Sequence, residues 1–135
     1  MKNELKVRTR TPSSYELNVL LPILIKGLEI KKGRTNAVTK KQIMLSIKKH
    51  GLKINNTGLS SLLAHIREND LIVGLMASPD GYYITSNVQE LMKYEDNILR
   101  RETALRKLRM SIKRQRTALF LKKNEQPLNK VGQLF

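Results

Sequence analysis

The chain has 135 residues, with no cysteine, no tryptophan and an aromatic content of 4%. Without cysteine it forms no disulfide and no thiolate zinc site, a composition that fits a reducing compartment. Phosphate-cradling glycine patterns are missing too, since neither Gly27 nor Gly33 leads into Gly-Lys-Ser/Thr. Long apolar runs are absent. The best stretch, Val19 to Ile25, is broken by Pro22 and falls far short of the roughly 20 residues a membrane span needs. Lys2, Lys6, Arg8 and Arg10 precede it as in a signal peptide. However, Lys26-Gly27-Leu28-Glu29 follows where a small-residue cleavage site would stand. The stretch reads as a core helix of a cytoplasmic protein with no membrane span.

Catalytic groupings are equally scarce. The two histidines, His50 and His65, have no Cys, Asp or Glu at metal-ligand spacing. Glu95 and Asp96 are adjacent on an expected helix, where neighbours do not face one another. The expectation is a protein that is not an enzyme and needs no metal or other cofactor.

Positive charge is what the chain has in excess. Lys and Arg number 26 against 11 Asp and Glu, giving a formal net charge of +15. Such an excess calls for an anionic partner, nucleic acid first, then an acidic membrane surface or an acidic protein. The charge is uneven. Residues 1–10 carry net +3, residues 11–53 net +7, residues 54–99 net −4 and residues 100–135 net +9.

The length allows one ordinary domain with an extension. Three segments match the capping box, in which a Ser or Thr and a Glu or Gln three residues on cap each other's backbone: Ser13/Glu16, Thr39/Gln42 and Ser86/Gln89. The first helix is expected from about Ser14 to Ile30, with Leu17, Leu20, Leu21, Leu24 and Leu28 inward. Pro22 should impose a kink or a later start. Ala37-Val38 is a candidate short strand. The second helix should run from Lys40 to about His50, with Ile43, Met44 and Ile47 inward and Gly51 as a left-handed stop. The third should open at Asn55 or Asn56, bury Leu59, Leu62, Leu63 and Ile66, and end at Asn69-Asp70. Leu71 to Met76 reads as a strand, Ser78-Pro79-Asp80-Gly81 as a turn and Tyr82 to Thr85 as the returning strand. A fourth helix after Ser86 meets no Gly or Pro before Pro127.

Helix, short strand, helix, short turn, helix, hairpin is an order that resembles the winged helix-turn-helix family. Asn36-Ala37-Val38-Thr39-Lys40-Lys41-Gln42-Ile43 looks like the family's strand-to-helix junction. Leu59-Ser60-Ser61-Leu62-Leu63 through Asp70 resembles its recognition helix and exit, and Asp80-Gly81-Tyr82-Tyr83-Ile84 its wing. The whole is similar to small winged-helix proteins of prophages and mobile elements that carry a basic C-terminal helix. The resemblance implies a mainly α fold with a small β-hairpin (α+β). Its parts are a basic N-terminal arm over 1–12, a winged helix-turn-helix domain over 13–86, a long basic amphipathic helix over 87–123 and a flexible tail over 124–135.

The resemblance also implies that the third helix enters the DNA major groove. Its outward positions are then Asn55, Asn56, Thr57, Ser60, Ser61, Ala64 and His65. Of these, Asn55, Asn56, Thr57, Ser60 and Ser61 are the candidates for base contact. No Lys or Arg lies between Asn55 and His65, and the wing tip carries Asp80 where the family usually places basic residues. Small polar residues fit a solvated face as well as a base-reading one.

Phosphate contacts are expected elsewhere. Lys40, Lys41, Lys48, Lys49 and Lys53 line the second helix and its exit. Residues 100–116 hold eight basic residues and one acidic, with Arg100, Arg101, Arg106, Arg109 and Lys113 as the candidate contacts. Leu91, Tyr94, Ile98, Leu105, Leu108, Ile112 and Leu119 recur at heptad steps, interrupted at Arg101 and Gln115. They suggest either a homodimer seam through residues 91–119 or a helix packed on the domain at its start and free beyond. A parallel pair would bring like charges together, which favours antiparallel pairing or a bound polyanion.

Two functions follow. The first is duplex DNA binding, mostly through phosphates, as a replication accessory or transcriptional regulator of a phage or other mobile element, with a replication protein as a further partner. The second is a protein-interaction adaptor whose acidic third helix and wing bind a protein and whose long helix drives assembly.

Overall fold

The computed structural model describes residues 10–123. The expected N-terminal arm is therefore seen only from Arg10 onward, and the tail at 124–135 lies outside the described residues. The chain divides into two compact units that meet between Leu91 and Met92.

The first helix, α1, combines a π-helical turn, Glu16–Leu20, with an α-helical part, Leu21–Glu29. The π turn answers the proline. Pro22 has no N–H to give to Asn18, and its ring would strike that carbonyl in a regular α-turn. The backbone widens instead, and the Leu21 N–H reaches the Glu16 carbonyl five residues back. The regular α-helix thus starts only at Leu21, with Pro22 in its first turn, in line with the later start that Pro22 suggests. Its entry is a capping box: the Glu16 N–H donates to Ser13 Oγ at 3.2 Å, and the Ser13 N–H donates to Glu16 Oε1 at 2.9 Å.

A 3₁₀ turn, Arg34–Asn36, leads to Val38 and then to α2, Lys40–Lys49. Thr39 and Gln42 form the second capping box. The exit is a Schellman arrangement: Gly51, at φ +80°, donates to Lys48 O and Leu52 donates to Ile47 O. The third helix, α3, is Asn56–Glu68, capped by Asn55. It ends through Asp70, the one non-glycine residue at positive φ among the described residues.

The hairpin differs from expectation at its start. Residues 71–74 form bends and turns, not a strand. Gly74 takes φ +83°, and its carbonyl accepts from Thr85 N–H. The strands are β1, Leu75–Ser78, and β2, Gly81–Ile84, paired antiparallel with Ser78 opposite Gly81. Alternation in the 71–76 segment is thus not all pleat: Ile72 is buried while Val73 is 82% exposed in the turn. The expected strand at Ala37-Val38 shrinks to one bridge, in which Val38 and Tyr82 exchange both backbone hydrogen bonds. Gly81 is required there, because a Cβ would sit 2.4 Å from the Val38 carbonyl oxygen.

The core joins Leu20, Leu24 and Leu28 of α1, Ile43 and Ile47 of α2, and Leu59, Leu62, Leu63 and Ile66 of α3. Ile72 and Leu75 close it from the hairpin side, and the expected Leu17, Leu21 and Met44 pack around it half-buried. Within each helix the inward Leu and Ile residues fall on one face at helical spacing, which is why three helices share one interior.

The last helix, α4, is Val88–Lys122, 35 residues and about 52 Å at 1.5 Å per residue. Its cap is Asn87 and not the expected Ser86: Asn87 Oδ1 accepts from the N–H groups of Gln89 and Glu90. The acid that a capping box would use, Glu90, is engaged elsewhere, accepting from the Tyr83 hydroxyl at 2.5 Å. That bond and burial raise the Tyr83 pKa, whereas hydrogen bonds with Thr85 and then Tyr83 lower that of Glu90. Among the described residues, no helix is long and apolar enough to cross a membrane.

Candidate nucleic-acid interface

The third helix presents less polar surface than its sequence suggests. Ser61, expected outward, is 1% exposed, and its hydroxyl donates to the Arg10 carbonyl at 2.9 Å. It therefore belongs to the inside of the fold. The reason is that the backbone at Arg10 lies against α3 at Ser61, so that the buried residues of the helix are Gly58, Leu59, Ser61, Leu62, Leu63 and Ile66. His65, also expected to be exposed, is half-buried, as is Ala64. Asn55 is exposed, but its side-chain oxygen serves the helix as a cap, accepting from Gly58 N–H at 2.7 Å. Asn56 and Thr57 remain as open polar side chains on the first turn.

Ser60 is held by a lysine from the preceding helix. Lys40 Nζ donates to Ser60 Oγ at 2.6 Å. Arg10 approaches the same helix from the other sequence direction. One of its guanidinium nitrogens bonds Glu16 Oε2 at 2.8 Å, and another lies 3.5 Å from the Thr57 carbonyl. Glu16 is itself 7% exposed, and its pKa is lowered chiefly by the Arg10 hydrogen bond, against an opposing effect of burial. A helix without Lys or Arg between Asn55 and His65 thus has two cations brought against its first turns by tertiary packing.

The other lysines of α2 and its exit, Lys41, Lys48, Lys49 and Lys53, are exposed. Lys41 and Lys48 are seven residues apart, so they share a face about 10 Å apart along the axis. Lys53 is fixed through its backbone, whose carbonyl accepts from the Tyr15 hydroxyl at 2.8 Å. Arg100, Arg101, Arg106, Arg109 and Lys113 are all exposed on α4, and Arg100 bonds Asn97 Oδ1.

Sequence reasoning missed three residues beside the hairpin and at the start of the fold. Arg34 bonds Asp80 Oδ2 at 2.8 Å, so the acid at the hairpin tip is met by a base from the loop after α1. The same contact keeps the Arg34 pKa above its ordinary value. Lys32 is placed against β2 by its bridge to Ile84. Arg10 reaches Glu16 and Thr57 as described. The run Lys31-Lys32-Gly33-Arg34 was visible as a basic loop, but nothing local tied it to a hairpin some fifty positions later.

An open apolar groove of about 630 Å³ lies between α1 and α2, with Ile23, Leu28, Val38 and Ile47 in its walls and Lys31 and His50 among its lining. Among the described residues, no three His, Cys, Asp or Glu side chains converge as a metal site would require. No known family model, curated protein or solved structure matches the chain.

Proposed function

We propose that this protein binds nucleic acid, duplex DNA foremost, mainly through phosphate contacts, as a winged helix-turn-helix protein with a basic helical extension. The helix order, the Val38 bridge to the hairpin and the α2–α3 turn support the fold reading. One observation carries the functional one: Lys40 and Arg10 converge on the outer turns of α3, beside the exposed lysines of α2. In this reading α3 sits at the groove with Asn56 and Thr57 foremost, Lys40 supplies the charge that the first turns of α3 lack, and Lys41, Lys48, Lys49 and Lys53 hold the backbone. Base discrimination is then modest, because no arginine fork stands between Asn55 and His65, on the turns of α3 nearest the groove, to address guanine. A service role in replication or transcription for a phage or mobile element fits such binding better than operator recognition by side-chain forks.

The test is binding of random-sequence duplex over a salt series. Counterion release makes log affinity fall linearly with log salt, by about 0.9 for each phosphate contact. Replacing Lys41, Lys48, Lys49 and Lys53 together by Gln should lower that slope by about 3 to 4 if each makes one contact. An unchanged slope would remove the α2 lysines from the interface. Absence of binding at about 50 mM salt would refute the reading as a whole.

A further inference from the structure

The long helix keeps an apolar stripe in solvent along its length. Ile98, Leu105, Leu108, Ile112 and Leu119 are each 38–67% exposed, and α4 has no buried residue. A helix of 35 residues with such a stripe gains by covering it. What covers it can be read from the residues flanking the stripe.

Take Leu91, Ile98, Leu105, Ile112 and Leu119 as the a positions of a heptad. Tyr94, Arg101, Leu108 and Gln115 are then the d positions. The e positions, beside a, are Glu95, Glu102, Arg109 and Arg116. They are two acids followed by two bases. The g positions, beside d, are Glu90 at the start of the helix and then Asn97, Ala104, Ser111 and Ala118, the last four all small or neutral. In a parallel pair, e faces g of the partner: Glu95 then meets Glu90, a like charge, and every later contact joins a charge to a neutral residue. In an antiparallel pair, e faces e. One register then sets Glu95 against Arg116 and Glu102 against Arg109, each twice by symmetry. Sliding either helix by one heptad places Glu102 or Arg109 against its own copy.

We propose that α4 pairs with α4 of a second copy of this chain in that antiparallel register. Leu105 packs on Leu108 of the other helix at the centre, and Ile98 lies across from Gln115. Ile112 lies across from Arg101, whose guanidinium leaves the seam over the small g side, past Ala104 and Ser111. The register also divides the basic residues by task. Arg109 and Arg116 neutralise acids across the seam. Arg100, Arg106, Lys107, Lys113 and Arg114, at b and c positions, stay on the outside for a polyanion. This goes beyond the DNA-binding reading and does not depend on it.

The experiment uses the full chain, whose lack of cysteine makes single-thiol variants clean. Ile98→Cys and Gln115→Cys chains, mixed and oxidised, should give a crosslinked dimer, and each alone should give none. In this register the like positions lie 17 residues apart, about 25 Å. Crosslinking of Ile98→Cys with itself would show parallel pairing and overturn the proposal. Independently, Glu95→Arg with Glu102→Arg makes every e position basic, and Arg109→Glu with Arg116→Glu makes every one acidic. Each double variant should self-associate at least about tenfold more weakly in sedimentation equilibrium, and the two mixed should recover the original affinity. Circular dichroism checks that the helix persists in both. A wild-type chain that is monomeric at high micromolar concentration, or a dimer indifferent to these reversals, would overturn the proposal, whatever the outcome for DNA.

Discussion

Gly58 is the point at which α3 meets the Arg10–Glu16 pair, and replacing it with alanine tests how that junction is held. A Cβ at position 58 would lie 2.3 Å from Glu16 Oε2 and 3.1 Å from Asn55 Oδ1. Ordinary carbon–oxygen contact needs about 3.4 Å, so the carboxylate must withdraw by about 1 Å. That movement strains the 2.8 Å bond to Arg10, a charge-assisted contact of about 1.5–3 kcal/mol. Against this, alanine gains up to about 1 kcal/mol of helix propensity over glycine. The net expectation for Gly58→Ala is a loss of about 1–2 kcal/mol. In a domain of this size that lowers the melting temperature by about 4–8 °C for each kcal/mol. The sign should change in a Glu16→Ala background. There the methyl has space, the Arg10 bond is already gone, and Gly58→Ala becomes neutral or stabilising. The assay is thermal and urea unfolding followed by tyrosine fluorescence, using the buried Tyr83 as reporter, on all four members of the double-mutant cycle. A coupling of about 1–3 kcal/mol is expected between the two sites. Additive effects, or a Gly58→Ala variant as stable as the parent, would refute the claim that the carboxylate braces α3.

Further outcomes follow from the same geometry. Leu62, fully buried on α3, should cost about 2–5 kcal/mol when changed to Ala, read from the urea midpoint. Because the Glu16 pKa is lowered in the folded state, its stabilisation is complete above the ordinary carboxylate range and is lost as pH falls through the lowered value. The stability gap between the parent and Glu16→Gln should therefore be widest near neutral pH and narrow as the solution is acidified below the ordinary carboxylate range, in urea titrations across that range. Lys40→Met should reduce the salt slope of DNA binding by about 1 while changing unfolding stability by less than about 1 kcal/mol.

Much of the helical order was legible because it rests on local signals. The spacing of Leu and Ile marks the inward faces of α1, α2 and α3, and the Ser13 and Thr39 boxes need only residues three apart. Gly51 stops α2 through its own backbone freedom. The errors arose where a local signal had a distant competitor. Ser86 lost the last cap to Asn87, while Glu90 was taken by Tyr83. The 71–76 stretch looked like a strand because Ile72 is apolar, but its burial comes from a turn tucked under the core. Pro22 is no such error: the regular α-helix begins at Leu21, and what the proline left open was the π turn that precedes it.

The candidate interface divides in the same way. Exposure of Lys41, Lys48 and Lys49 follows from helix periodicity alone, since the buried Ile43 and Ile47 fix which face turns outward. The role of Ser61 does not, because whether a small polar residue faces water depends on what crosses it, and here that is the backbone at Arg10. Composition and periodicity suffice for the size of the positive charge, its separation into segments and the long uninterrupted helix, since none of these needs a distant partner. Packing in three dimensions is what brings Arg10 and Lys40 to the first turns of α3, which have no Lys or Arg of their own, and Arg34 to Asp80. Charges so far apart in the chain are joined by packing, and one-dimensional spacing carries no record of it.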